Sequence, residues 1–214
     1  MKRGLLDGLA DTEVQALLSI ARRRRFARGE VVFHEHDPAD TLHLVQKGRF
    51  AVRTSTPLGD TAILSILGPG DVFGELSLLD GAEPRRSATV SALEVAETRS
   101  VHRLDFERLR ATHPETADVL IAILSRQVRR LSRHLLEALY VPADKRVLRR
   151  LLELGELYGD GVVPLTQEDL AGLAGTSRAT VNRILRAEEA KGTVRLGRGR
   201  TTILDPAELA RRGR

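Results

Sequence analysis

The chain has 214 residues, of which 42% are hydrophobic and 29% are charged. This composition is typical of a globular protein with one large domain or two modest ones. No apolar run approaches the ~20 residues of a membrane helix, and the first residues do not have the pattern of a signal peptide. We therefore expect a cytoplasmic protein without membrane partners. The absence of cysteine excludes disulfides, thiolate metal sites and iron–sulfur clusters.

The formal net charge is +5, and most of the excess lies in the last third of the chain. Residues 142–214 carry 14 Lys and Arg against 10 Asp and Glu, whereas residues 1–141 carry 20 against 19. A basic segment is suited to a phosphate backbone, although an arginine-rich composition alone would give the same excess.

The first half of the chain predicts one helix followed by many short strands. Residues 11–25 show the apolar spacing of an amphipathic helix. From Gly29 to Leu104, short apolar or β-branched runs alternate with glycine and proline turns, which favours a β-barrel or jelly roll. The predicted strands are 30–33, 42–45, 50–54, 61–65, 88–90 and 94–96.

Within this region, one loop and its flanks carry the residue types of a nucleotide-monophosphate pocket. Gly74 would let the backbone approach a ligand closely. The Glu75 carboxylate can accept from a ribose hydroxyl, Arg86 can form a bidentate contact with a phosphate, and Ser87 can add a hydrogen bond beside it.

Residues 114–140 change to a helical period. Their apolar positions alternate at intervals of four and three, which is the repeat of a coiled-coil seam held for three heptads. We predict a dimer helix with its interface over residues 117–138, the alternative being an ordinary helix that lies on its own barrel. The seam positions are Ala117, Ile121, Leu124, Val128, Leu131, Leu135 and Ala138.

Residues 165–185 predict a helix-turn-helix. Thr166 and Asp169 have the spacing of a capping box, Gly175 suits a left-handed turn, and Ser177 can cap a second helix. The outer face of that helix is polar and basic, as a major-groove helix requires, and residues 193–204 predict a basic hairpin, or wing. The predicted DNA-binding residues are Thr166, Ser177, Arg178, Thr180, Asn182, Arg183, Arg198 and Arg200.

The motifs Gly74-Glu75-Leu76-Ser77-Leu78 and Arg86-Ser87-Ala88-Thr89 resemble the cyclic-nucleotide-binding cassette of the cyclic-AMP receptor and fumarate–nitrate regulator family. The resemblance covers essentially the whole chain, since residues 176–185 resemble the family's recognition helix. It implies that Glu75 binds the ribose 2′-hydroxyl and that Arg86 and Ser87 bind the cyclic phosphate. The implied effector-binding residues are Gly74, Glu75, Leu76, Ser77, Arg86 and Ser87.

Two positions depart from the best-known cyclic-AMP receptors. The Thr-Ser pair that these receptors offer to adenine falls on Leu135-Leu136 in one alignment and on Ser132 in another, which leaves the effector open. Ala179 follows Arg178 where these receptors commonly have Glu, and alanine cannot accept from cytosine. The operator is therefore expected to differ at that base.

His34-Glu35-His36 resembles the His-x-His of metal-binding cupins, and both histidines are expected on one strand face. The alternative, which we prefer, is that these are strand-end residues and that no metal is bound. A haem ligand remains open among the six histidines, although nothing singles one out.

Together these patterns predict an α+β protein: a cyclic-nucleotide-binding β-roll over 1–113, a dimerisation helix and hinge over 114–141, and a winged helix-turn-helix over 142–214. The expected function is that of a homodimeric transcription regulator, not an enzyme. Its expected effector is cyclic AMP or a similar cyclic nucleotide, and its partners are two-fold-symmetric double-stranded DNA and RNA polymerase. The alternatives are the same fold acting without ligand or with another effector, and a cupin-like metalloprotein with a DNA-binding tail.

Overall fold

A computed structural model describes residues 15, 18–55, 61–79, 83–114 and 116–214. The described residues form two compact units. The first contains those up to Ser55 together with residues 64–130, and the second contains residues 61–63 and 131–214. The domain boundaries at 113 and 141 stay a prediction. No helix in the described ranges is long and apolar enough to cross a membrane.

Two four-stranded sheets build the predicted β-roll. Their orders are β1-β8-β3-β6 and β2-β7-β4-β5. The strands are β1 Arg22–Phe26, β2 Val31–Phe33, β3 Thr41–Lys47, β4 Phe50–Ser55, β5 Thr61–Leu67, β6 Val72–Phe73, β7 Thr89–Ala92 and β8 Ala96–His102.

The prediction of a helix over residues 11–25 is wrong at its end, because Arg22–Phe26 forms β1 and pairs antiparallel with β8. Of the earlier residues, 15, 18 and 19 are helical, while 11–14 and 16–17 lie outside the described residues. The apolar spacing made the predicted helix too long at this end. The segment that forms β1 has one buried residue, Phe26, after four exposed arginines, so its strand pattern is weak.

The predicted strand at 94–96 is also wrong, since residues 93–95 form a bend and β8 begins at Ala96. Most of β8 was missed because its inward residues include Thr98 and Ser100, which are polar although both are buried. An alternating apolar pattern is therefore absent from a strand that forms the centre of its sheet.

Strand β3 separates two hydrophobic cores. Its alternating side chains point to opposite faces, so Leu42 and Leu44 contribute to one core and Val45 to the other. The second core lies between the sheets and includes Phe50 and Phe73. The first lies beneath helices α1 (Arg103–Thr112) and α2 (Thr116–Tyr140).

Helix α2 is apolar on two sides. Leu120 and Ile123 are buried in the core of the first unit, so one face packs on its own β-roll. The predicted seam points elsewhere, since Val128 and Leu131 are 62% and 55% exposed, and Ile121 and Leu135 are also exposed. Packing on its own β-roll and pairing with a second copy are therefore compatible for this helix, because each would use a different face.

The second unit has a helix-turn-helix and a wing. Its elements are α3 Ala143–Tyr158, β9 Val162–Val163, α4 Gln167–Ala174, α5 Arg178–Ala190, β10 Val194–Gly197, β11 Arg200–Ile203 and α6 Pro206–Gly213. The hairpin β10–β11 continues into β9, which completes a three-stranded sheet. Buried Glu188 accepts from Thr193 and pairs with Lys191 and Arg212, which ties the end of α5 to the wing and to α6.

Candidate functional site

The predicted nucleotide cassette begins at the end of β6. Gly74 has a φ of 77° and precedes a short 3₁₀ helix, Glu75–Leu78. A Cβ added at Gly74 would lie 2.7 Å from the Nη1 atom of Arg86 and 2.7 Å from the Thr41 carbonyl oxygen. Conformation and close approach therefore both require glycine at this position.

Arg86 is the centre of this site, and it is only 5% exposed. Its Nη1 donates to the Thr41 carbonyl and its Nη2 to the Thr41 hydroxyl, each at 2.7 Å, while its guanidinium carbon lies 4.0 Å from the Phe33 ring centroid. Its Nε is buried and has no hydrogen-bond partner among the described residues. Burial lowers the pKa of Arg86, against the nearby charges of Asp40, Asp37 and Glu75.

Glu75 joins the cassette to α2. Its side chain is buried, and this burial raises the pKa of the carboxyl group. A side-chain hydrogen bond with Gln127 and the charges of Arg130 and Arg86 oppose that rise. The carboxylate is thus positioned against the same helix that carries the exposed apolar seam.

The structure brings Gly74, Glu75 and Arg86 together but leaves two other predicted residues on the surface. Leu76 is 38% exposed, and Ser87 is exposed beside Arg86 in the chain. The side chain of Ser77 lies outside the described residues. Sequence reasoning missed Thr41 and Gln127, which contact the cassette from elements distant in the chain.

His43 is a buried neighbour of Arg86. Its ring stacks on Phe73 with centroids 4.9 Å apart, and its Nδ1 lies 3.1 Å from the Thr98 hydroxyl. Burial lowers the pKa of His43 to about 3, with further lowering by the charges of Arg86 and Arg24. The ring is therefore neutral at physiological pH.

The expectation that His34 and His36 share a strand face is wrong. Strand β2 ends at Phe33, and the two histidines are exposed in the turn that follows, where His36 has a φ of 70°. Among the residues that the structure describes, no three His, Asp or Glu side chains are grouped as metal ligands.

The helix-turn-helix has the predicted caps and turn. The Asp169 amide donates to the Thr166 hydroxyl and the Thr166 amide donates to the Asp169 carboxylate, both at 3.1 Å, which completes the capping box. Gly175 has a φ of 60° at the turn. The Ser177 hydroxyl accepts from the Thr180 amide at 3.2 Å, so it caps α5.

The outer face of α5 and the wing form one basic concave surface. Arg178 and Arg183 are exposed and form no ion pair with any described carboxylate. A cavity of about 570 Å³ is lined by α4, α5 and the wing, and it includes Thr166, Arg178, Asn182 and Arg200. Arg198 and Arg183 do not line it but are exposed on the wing tip and on α5.

Arg146 of α3 links this motif to the chain segment before it. Its Nη1 donates to the Val141 carbonyl at 2.7 Å, its Nε to Ala174 at 2.9 Å and its Nη2 to Gly175 at 3.0 Å. The last carbonyls of α4 are therefore satisfied by a side chain, which positions the turn ahead of α5.

Comparison with known proteins identifies both halves of the chain. The family model of the cyclic nucleotide-binding domain matches residues 23–113, and that of the Crp-like helix-turn-helix domain matches residues 145–212. The chain belongs to the cyclic-AMP receptor and fumarate–nitrate regulator family. It is a transcription regulator of this family, with a cyclic nucleotide-binding β-roll and a DNA-binding helix-turn-helix, as the sequence predicted.

Individual relatives agree with this assignment. The "CRP-like cAMP-activated global transcriptional regulator" of Mycobacterium tuberculosis is 34% identical over 100% of this chain and 97% of its own length. The "Cyclic AMP receptor protein" of Thermus thermophilus is 38% identical over 96% of this chain and 94% of its own. A solved CRP-family transcriptional regulator, also from Thermus thermophilus, is 26% identical, with a TM-score of 0.76, and the match covers 89% of this chain and 96% of that one.

The buried His43 predicts a loss of stability in mild acid. Its pKa is about 3 in the folded chain against 6.5 for an ordinary histidine, so the unfolded state takes up the proton first as pH falls below 6.5. Between pH 7.5 and pH 5 this group should lower the free energy of unfolding by about 2 kcal/mol. Urea denaturation across this pH range measures the slope.

The His43→Gln variant is the control, because it cannot take up the proton in either state. Its stability should fall by about 2 kcal/mol less than that of the wild type over the same pH range. Parallel curves for the two proteins would mean that His43 does not contribute to the acid sensitivity.

Proposed function

We propose that this regulator is controlled by a cyclic nucleotide, with cyclic AMP as the first candidate. The observation that carries the proposal is the buried Arg86, whose guanidinium lies against Gly74 and whose Nε lacks a partner among the described residues. The relatives named as cAMP-activated or as cyclic AMP receptors add support. A cyclic phosphate would supply the missing acceptor.

In this proposal each cassette residue has a separate role. Arg86 and the exposed Ser87 hydroxyl bind the cyclic phosphate, and Glu75 binds the ribose 2′-hydroxyl. Gly74, Leu76 and Ser77 line the site. Since Glu75 also bonds to Gln127, a ribose hydroxyl would compete for the same carboxylate, so binding would alter a contact of α2. This contact offers a route from effector to helix.

The same fold acting without ligand, or with another effector, is the second candidate. It is favoured by the two hydrogen bonds that already hold Arg86 to Thr41. The protein's own acceptors thus position the guanidinium, and an active arrangement could rest on them. The Leu135-Leu136 pair, where an adenine contact would fall in one alignment, also favours a different effector.

We further propose that the dimer forms through residues 117–138 of α2. Its exposed apolar residues recur at the seam spacing, and a second copy would remove them from water. Two recognition helices related by this axis would enter successive major grooves, so the DNA site would be two-fold symmetric. The place of action would be the cytoplasm, with RNA polymerase as a protein partner.

Calorimetry on the full-length protein tests the effector. Cyclic AMP should bind the wild type, and Ser87→Ala should bind it about tenfold more weakly, because a hydrogen bond to a charged phosphate is lost. Ser87 is exposed, so this substitution should leave the fold intact. Ser55→Ala, at another exposed serine of the first unit, should bind like the wild type.

Cyclic GMP and cyclic di-GMP are titrated in parallel to find another effector. If none of the three nucleotides gives heat while the protein still binds DNA, control by a cyclic nucleotide is wrong and the second candidate, action without ligand or with another effector, takes its place.

Val128→Asp combined with Leu131→Asp should convert the dimer to a monomer, because like charges would meet at the seam of the two helices. Sedimentation velocity reports the change. Val95→Asp is the matched control, since Val95 is 71% exposed but lies outside α2. A double variant that still sediments as a dimer would move the interface away from this seam.

DNA titrations on cognate and scrambled duplexes separate base reading from backbone contact. Arg183→Ala should lose about 1–3 kcal/mol on the cognate site and much less on scrambled DNA, if its guanidinium binds a base edge. Arg200→Ala on the wing should weaken both duplexes similarly and reduce the salt dependence. Equal losses on both duplexes for Arg183→Ala would make it a backbone contact.

A further inference from the structure

The first unit contains a polar cavity that the cassette does not explain. Its volume is about 640 Å³, within the range of small-molecule sites. Of the predicted cassette residues only Arg86 lines it, whereas Gly74, Glu75, Leu76 and Ser87 do not. Its other polar walls come from β1, β3, β8 and α1 and from the segment before β3.

Strand alternation directs two arginines of β1 to this cavity. Arg22 and Arg24 line the cavity. They lie on the same strand face as Phe26, which is buried between the sheets. Arg23 and Arg25 lie on the other face and pair with Glu97 at 2.5 Å and 3.5 Å. The four consecutive arginines therefore divide into a paired set and a set at the cavity.

The carboxylates of the cavity are already engaged. Asp40 lies 3.8 Å from Arg86 and 3.5 Å from His102, and Asp105 lies 3.6 Å from Arg108. Asp37 accepts from the His34 amide at 2.8 Å.

Two arginines at the cavity, in contrast, have no acidic partner among the described residues. Within the described residues, Arg22 and Arg24 form no ion pair, and the buried Nε of Arg86 has no acceptor. His43 also lines the cavity, and its pKa is lowered mainly by burial and further by the charges of Arg86 and Arg24. The cavity thus has an excess of positive charge and one buried donor, the Nε of Arg86, that has no acceptor among the described residues.

We propose that this cavity is a second small-molecule site, which binds the phosphate of a sugar phosphate through Arg22, Arg24 and Arg86. The size leaves room for the sugar, and the Ser100 hydroxyl in the cavity wall can accept from one of its hydroxyls. Arginine suits this role because its planar donors match a phosphate. The site goes beyond the cyclic-nucleotide proposal and shares only Arg86 with it, so the two occupants would influence each other.

Calorimetry on the full chain tests the site with ribose 5-phosphate, adenosine 5′-monophosphate and inorganic phosphate as probes. The two sugar phosphates should bind, and inorganic phosphate should bind more weakly. Arg22→Ser with Arg24→Ser should weaken ribose 5-phosphate at least about tenfold, since two cations are lost. Arg23→Ser with Arg25→Ser removes the same charge from the opposite face of the strand and should bind like the wild type.

A Glu75→Gln variant separates this site from the cassette. It should keep ribose 5-phosphate binding unchanged and weaken only cyclic AMP. The proposal is overturned if no probe binds at millimolar concentration, if both double variants lose binding equally, or if Glu75→Gln and competing cyclic AMP each remove the ribose 5-phosphate signal. Circular dichroism of each variant, with the single substitutions Arg22→Ser and Arg24→Ser, excludes loss of fold as the cause.

Discussion

Holding a guanidinium inside a β-roll is the constraint on which the first unit depends. A guanidinium taken out of water needs hydrogen-bond acceptors and counter-charge around it, or the fold loses several kcal/mol. Arg86 has two acceptors on Thr41, the face of Phe33 beneath it and Asp40 nearby. The same requirement removes the side chain from Gly74, because any Cβ there would meet this guanidinium.

The sequence predicted the elements whose residues carry their own local signal. Glycine and proline turns bounded most strands of the roll, and Thr166, Gly175 and Ser177 marked the helix-turn-helix by cap and turn chemistry that acts within a few residues. Strand β1 and most of β8 were not predicted, because their sequence patterns are weak and their pairing with each other decides their structure. Arg22–Phe26 becomes a strand by pairing with residues 96–100, a partner that periodicity alone cannot reveal.

The candidate site divides in the same way. Gly74, Glu75 and Arg86 belong to recognisable motifs, so their chemistry could be predicted. Thr41 and Gln127 could not, since each reaches the cassette from a distant part of the chain and neither residue type is diagnostic. The burial of Arg86 could not be predicted from the sequence either. An arginine beside a loop is ordinarily solvated, and it can be buried only where surrounding residues supply hydrogen-bond and charge partners.

The three carbonyls held by Arg146 have a mechanical consequence. One planar side chain joins Val141, just beyond α2, to Ala174 and Gly175 at the turn of the DNA-binding motif. A rotation of the chain at residue 141 would therefore move the turn as well, because the same side chain is bonded to both. Lysine would keep the charge at this position, but its single ammonium could not bind the three carbonyls as the planar guanidinium does, so the connection would be looser.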